Sequence, residues 1–273
     1  MLFRSEIAAG THPFAATLKA AKRPMLVVGQ GALARRDGAA VLAMARRIAE
    51  ECGMVREDWN GFNVLHTAAA RVAGLDLALT PGPGGRDVSG ILDGASKGEI
   101  DVVYLLGADE IDTSRLGSAF VVYQGHHGDA GAHRADVVLP GAAYTEKSAT
   151  YVNTEGRVQR TALATFPPGD AKEDWKIVRA LSEALGKTLP INDVAEARAR
   201  MAAVNPAFGA LWTAQKAPWG DFGIVGDVDY AAFRSPIANF YMTDPISRAS
   251  ETMAKCVVDI LGVSPSNKTG THD

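Results

Sequence analysis

Val102-Val103-Tyr104-Leu105-Leu106-Gly107 is an unbroken apolar run closed by a glycine. Two runs of the same kind follow. Ala119-Phe120-Val121-Val122-Tyr123 ends at Gln124-Gly125, and Asp136-Val137-Val138-Leu139 ends at Pro140-Gly141. Continuous rather than alternating apolar residues predict strands covered on both faces. Upstream, Met25-Leu26-Val27-Val28 opens after Pro24 and stops at Gly29. Helical patterns lie between these runs. The first covers residues 12–22. Asp37 is placed to cap a second helix, in which Val41, Ala45, Ile48, Ala49 and Cys52 share one face before Gly53. A third, Val88–Ser96, follows the Thr80-Pro81-Gly82-Pro83-Gly84-Gly85 loop. Short apolar strands alternating with helices predict an α/β fold on a Rossmann-like parallel sheet. Such sheets bind ligands beyond the carboxyl ends of their strands. Those ends carry Gly29-Gln30-Gly31, Asp109-Glu110, Gln124 to Asp129, and Thr145-Glu146.

The texture changes after Thr150. Tyr151-Val152-Asn153-Thr154 and Gly156-Arg157-Val158-Gln159 read as two short strands around a turn. Pro167-Pro168-Gly169 marks a boundary, and Asp174 opens a helix with Trp175, Val178, Leu181 and Leu185 on one side. A second helix covers 193–204. Residues 208–241 are rich in aromatics, Gly and Pro, and are expected to pack across domains. Asp244-Pro245 is an N-cap and first-turn pair, opening one helix that runs to Gly262. The division that follows is 7–165 as the α/β domain, 166–204 as a helical extension and 205–262 as a C-terminal segment. The C-terminal region is expected to be mainly helical. Residues 1–6 read as a non-native scar, and 263–273 as a disordered tail.

Composition narrows the function classes. The 273 residues carry a formal net charge of −3, with 47% hydrophobic and 22% charged residues, which is the profile of a chain that folds around a core. No Lys/Arg-dense stretch marks a nucleic-acid face. The longest apolar runs fall far short of the roughly 18 residues of a membrane span. The two cysteines, Cys52 and Cys256, are far apart. They cannot supply the four ligands of an all-thiolate iron–sulfur cluster or the close-spaced set of a structural zinc. Both read as small buried hydrophobes.

Several patterns invite chemical readings. Gly29-Gln30-Gly31-Ala32-Leu33-Ala34 follows a strand and fits a relaxed G-x-G-x-x-A dinucleotide pattern. It lacks an immediate helix, because Arg35-Arg36-Asp37 intervenes, and the acids at the required distance, Glu50 and Glu51, fall inside a helix. A glycine turn between strand and helix is the better reading, and a free-standing nucleotide module is the weaker one. His126, His127, Asp129 and His133 form the densest polar cluster, but adjacent histidines point apart and two glycines separate the third, so a zinc site is disfavoured. No serine stands in a nucleophile-elbow context. Glu146, Lys147, Asn153, Glu155, Arg157 and Gln159 are dense enough for a site, or for a network that pins irregular backbone.

Ala135-Asp136-Val137-Val138-Leu139-Pro140-Gly141, then Glu146-Lys147, then Asn153-Thr154-Glu155-Gly156-Arg157-Val158-Gln159 resemble the molybdopterin oxidoreductase superfamily. Tyr123 to Asp129 and Ala238 to Ser250 narrow the resemblance to the large iron–sulfur subunits (the G subunits) of NADH-quinone oxidoreductase, respiratory complex I. The resemblance runs from about Ile7 to Leu261. It implies the C-terminal portion of a longer protein, one that kept the molybdopterin-enzyme fold and lost the cofactor. No catalytic, cofactor-binding or metal residues are then expected. Gln124, His126, Asp129 and Glu146 are the candidates for a vestigial pocket. The implied role is scaffolding in the peripheral arm, against other complex I subunits including the flavin subunit. The iron–sulfur clusters belong to a part not in this chain, and FMN to a partner. The implied location is the cytoplasmic side of the bacterial inner membrane, with no span of its own. An active, truncated molybdopterin-dependent oxidoreductase gripping its pterin with Gln124, Asp129 and Glu146 is the alternative.

Overall fold

The structure, a computed structural model, describes residues 3–263. Of the two ends set apart above, residues 1–2 and 264–273 lie outside the described residues. The chain forms two compact units that interleave along the sequence. Among the described residues, the first gathers 3–73, 151–159 and 210–238; the second gathers 74–150, 160–209 and 239–263. This differs from the consecutive blocks drawn at 165 and 204. The return of 210–238 to the first unit rests on long-range contacts, which no local pattern announces.

Helices α1 (Phe3–Ala8) and α2 (Pro13–Ala20) lead into strand β1 (Leu26–Gly29). A single turn, α3 (Gln30–Leu33), and the 14-residue α4 (Gly38–Glu51) follow. The turn α3 therefore follows the strand directly, where the sequence suggests an interruption. Val41, Ala45, Ile48 and Ala49 are buried along one face of α4. Strands β2 (Val55–Arg56) and β3 (Trp59–Asn60) pair antiparallel before β4 (Phe62–Leu65). Strand β4 runs parallel to β1, with Leu26 opposite Phe62 and Gly29 opposite Leu65. It is hard to see in the sequence because Asn60-Gly61 and Asn63 interrupt its apolar run. Ala8, Ile48, Ala49, Cys52 and Met54 form the core of this unit.

Next come α5 (Arg71–Asp76), α6 (Val88–Ser96), β5 (Val102–Leu106), β6 (Phe120–Gly125), α7 (Ala130–Arg134) and β7 (Val137–Pro140). Asp87 caps α6 by accepting the Gly90 N–H at 2.8 Å. The second unit is built on the three-stranded parallel sheet β5-β6-β7, with Val103 opposite Val121 and Tyr123 opposite Val138. Leu92, Val103, Leu105, Leu116, Val121 and Tyr123 make its core. The strands of the α/β reading are thus shared between two parallel sheets, one in each unit.

A hairpin, β8 (Thr150–Val152) and β9 (Val158–Arg160), turns at Gly156, whose φ of 78° is left-handed. Helices α8 (Asp174–Ala184) and α9 (Val194–Val204) follow. The backbone from 210 to 244 then holds no helix, so the C-terminal region is less helical than its sequence suggests. The one helix expected after Asp244 is two, α10 (Pro245–Arg248) and α11 (Glu251–Leu261). Asp244 Oδ1 caps the first, accepting from the Ile246 and Ser247 N–H groups at 3.0 Å each. Ser250 caps the second, accepting from the Met253 N–H at 3.4 Å. No helix among the described residues is long and apolar enough to cross a membrane.

Candidate functional site

The carboxyl ends of β5 and β6 hold the densest buried charge in the second unit. Asp109 and Asp129 are both buried there. Arg248, at the end of α10, reaches between them. Its Nη2 donates to Asp109 Oδ1 at 2.6 Å, its Nε to Asp129 Oδ2, and its Nη1 to Glu110 Oε1 at 3.4 Å. Asp129 also caps α7, accepting the Ala130 N–H at 2.9 Å. The second oxygen of Asp109 is buried with no hydrogen-bond partner. Burial raises the Asp109 carboxyl and outweighs the opposing pull of Arg248. Burial also works against the charge of Arg248, but Asp129 and Asp109 overcome it and hold the guanidinium more firmly protonated than usual. Tyr123 stands beside this cluster and donates to the His127 carbonyl at 3.1 Å. Burial, then Asp109 and Asp129, push its hydroxyl up to about 12. Gly125 at the end of β6 and Gly131 in α7 make room for that ring. A Cβ at Gly125 would lie 2.3 Å from the Tyr123 hydroxyl, and one at Gly131 would lie 2.7 Å from its ring.

A second network sits alongside. Gln124 is fully buried, accepts from the Tyr104 hydroxyl and donates to Asp174 Oδ1 at 2.8 Å. Lys147 pairs with the other oxygen of Asp174. Asp174 is therefore a clamp at the first turn of α8, with Glu173 rather than Asp174 in the capping position. Glu146 folds back to accept the Ala143 N–H at 2.9 Å. His126 and His127 do not point apart as their adjacency suggests but face each other, Nδ1 to Nδ1 at 2.7 Å. Burial first, then His127 and Lys147, hold His126 below the usual imidazole range. The four pocket candidates are thus divided. Gln124, Glu146 and His126 belong to the Asp174–Lys147 side, and Asp129 belongs to Arg248. Each has a protein partner. Arg248 escapes a sequence reading, because its partners lie up to 139 residues away. The signal available was Asp109-Glu110 at one strand end and Asp129 at the next, three acids that call for a cation once the strands are neighbours.

In the first unit, the ends of β1 and β4 open onto a cavity of about 660 Å³ lined by residues of 26–32, α4, 65–67 and 233–237. Gln30 Nε2 donates to His66 Nδ1 at 3.1 Å. His66, rather than an acid, stands at the end of the second strand, so the ribose-binding acid of a dinucleotide fold is missing. Gly31 has a different purpose from a pyrophosphate turn. A Cβ there would lie 2.3 Å from the Arg234 carbonyl oxygen, which crosses directly over it. Arg35 and Asp37 anchor the same returning segment. Arg35 donates to Asp37 at 2.7 and 2.9 Å and to the carbonyls of Ala231 and Asp229 at 2.6 and 3.0 Å.

The remaining sequence candidates have structural roles. Asn153 Oδ1 accepts from the Glu155 and Arg157 N–H groups at 3.0 Å each, and Arg157 donates to the Trp212 carbonyl at 2.6 Å. This is a network that pins a turn. Trp219 and Phe222 pack on Phe62 with ring centroids 5.3 and 5.4 Å away, which joins the 205–262 segment to the 7–165 block of the sequence division within one compact unit. Both cysteines are free. Cys52 is buried, which raises its thiol, and Cys256 lies in α11. Among the described residues no group of three or more His, Cys, Asp or Glu is arranged to hold a metal ion.

Comparison with known proteins adds two family matches. A model described as molybdopterin oxidoreductase matches residues 5–184, and one for the C-terminal part of the G subunit of NADH-ubiquinone oxidoreductase matches residues 204–256. The chain is 43% identical over 254 residues to the NADH-ubiquinone oxidoreductase 75 kDa subunit of Reclinomonas americana, covering 92% of this chain and 36% of that protein. It is 42% identical over 253 residues to the NADH-quinone oxidoreductase G subunit of Rickettsia felis, covering 92% and 36%. It is 45% identical over 255 residues to the mitochondrial NADH dehydrogenase [ubiquinone] iron-sulfur protein 1 of Solanum tuberosum, covering 92% and 33%. The chain thus spans about a third of the length of these curated relatives.

Proposed function

This chain belongs to the molybdopterin oxidoreductase family, and on that premise we propose that it is the C-terminal scaffold portion of the large iron–sulfur (G) subunit of NADH-quinone oxidoreductase. The whole protein then sits in the peripheral arm that carries electrons from NADH to quinone, and this stretch does no chemistry itself. The observation that carries the reading is Arg248. It lies in the 204–256 segment that resembles the C-terminus of that large subunit, and it ion-pairs with Asp109 and Asp129 inside the molybdopterin-type region. The segment therefore fills strand ends at which this class of fold binds ligands.

The pterin cofactor that the family name implies does not fit these residues. It carries phosphate and needs free donors or cations. The strand ends instead offer Asp109, Glu110, Asp129, Glu146 and Asp174, and their cations Arg248 and Lys147 are already paired. The crossovers β1–α4–β4 and β6–α7–β7 support a Rossmann-like origin for both sheets. Iron–sulfur clusters are assigned to other parts of the complex, since two cysteines fall short of a four-thiolate set, and FMN is assigned to a partner subunit on the family resemblance alone. The partners are other peripheral-arm subunits, including the flavin subunit, on the cytoplasmic side of a bacterial inner membrane. Nucleic acid is not among them.

The test is affinity purification of the tagged protein from its own cells, with subunit identification and elemental analysis. Co-purification with flavin-bearing and quinone-reducing subunits, without molybdenum, is the expected result. Recovery without them sinks the reading. Stoichiometric molybdenum and pterin would establish the alternative, an active molybdopterin-dependent oxidoreductase.

A further inference from the structure

The cavity of the first unit plays no part in the scaffold reading, and nothing that follows depends on that reading. Its walls are apolar side chains of β1, β4 and α4, among them Val28, Val41, Met44 and Ile48. Its volume of about 660 Å³ lies within the range of small-molecule sites. Val27 and Leu65 also line it and are 47% and 52% exposed, so an occupant there removes apolar surface from water. The polar groups gather at the strand ends. Gln30 donates to His66 Nδ1, which leaves the ring proton on Nε2 as a donor. Burial, then Arg71, hold His66 below the usual imidazole range, so the ring is neutral at pH 7.

Charge decides the class of occupant. Among the described lining residues there is no Asp, Glu or Lys, and Arg234 is exposed. A cation finds no carboxylate. A phosphate at the glycine turn meets the Arg234 carbonyl oxygen, an acceptor, where it would need a donor. We propose that this cavity binds an uncharged, largely apolar small molecule with one hydrogen-bond-accepting group, its body against β1 and α4 and its acceptor toward His66.

Nile red, neutral and carrying one carbonyl acceptor, is the probe. It is titrated into the full chain labelled with ¹³C at the methionine methyls. The expected result is saturable binding at one site, with the Met44 methyl resonance shifting and those of Met201 and Met253, in the other unit, unmoved. Ala32→Trp, at a lining position, is expected to weaken binding at least tenfold. His66→Leu is expected to weaken it several-fold while its thermal unfolding stays cooperative. Absence of saturable binding overturns the proposal. So does saturable binding that leaves Met44 unshifted. If Ala32→Trp fails to fold, the Met44 resonance of the unsubstituted protein decides alone.

Discussion

Arg248 is the residue on which the strand-end chemistry of the second unit turns. It is one cation facing Asp109, Asp129 and Glu110, and the Asp109 side chain is only 1% exposed. Removing the cation leaves a buried carboxylate unpaired, which is the costly way to break such a cluster. Arg248→Ala is expected to lose about 3 kcal/mol in urea unfolding at pH 7. The deficit should narrow toward pH 4. A carboxyl whose folded pKa lies above its unfolded value takes up a proton on folding, so its penalty grows as pH rises past about 4. A deficit independent of pH would show that Asp109 is not the group left stranded. His66 has the opposite sign. Its folded pKa is lowered, so the unfolded chain binds the proton first. The stability it contributes is present above about pH 6.5 and is lost as pH falls through and below that value. His66→Asn should flatten that part of the stability–pH curve, measured by thermal unfolding between pH 7 and 5.

At the scale of elements, the start of α4 shows where a local rule reads a residue correctly and its purpose wrongly. Asp37 occupies the N-cap position, but its side chain makes no capping hydrogen bond. Both oxygens are taken by Arg35, and Oδ2 also accepts the Asp229 N–H at 2.8 Å. The hydrogen bond from Arg35 is what holds the Asp37 carboxyl below the usual carboxylate range. Asp37→Ser retains a good cap and removes the clamp. It is therefore expected to lower the thermal midpoint as far as Asp37→Ala does, with faster hydrogen exchange at the Asp229 amide. Recovery by serine would return Asp37 to a capping role. At α9 the local rule holds in full, since Asp193 accepts the Glu196 N–H at 2.8 Å. The difference is range. Asp193 has its partner three residues on, whereas Asp37 is held by Arg35 two residues back and shared with a segment 192 residues away.

On the scale of the whole molecule, two cores stand in two units, one around Ala49 and Met54 and the other around Leu116 and Val121. Leu116 is fully buried, so Leu116→Ala should cost about 3 kcal/mol through its cavity. Amide exchange should then quicken in β5, β6 and β7 while α4 stays protected. Loss of protection in α4 as well would mean that the two cores unfold as one. The amino-acid sequence by itself determined the strands Val102–Leu106 and Val137–Pro140 and the helix Val88–Ser96, together with most of their stops. Those features rest on apolar periodicity, caps and glycines within a few residues of each other. It also determined the resemblance carried by Ala135 to Gln159 and by Ala238 to Ser250. Only the tertiary structure decided that the strands divide between two sheets, that Gly31 makes room for the Arg234 carbonyl, and that Arg248 closes the cluster of Asp109 and Asp129. Each of these depends on which distant surfaces bury one another. That choice is made by packing and charge pairing across the whole chain, and it leaves no mark on the spacing of neighbours.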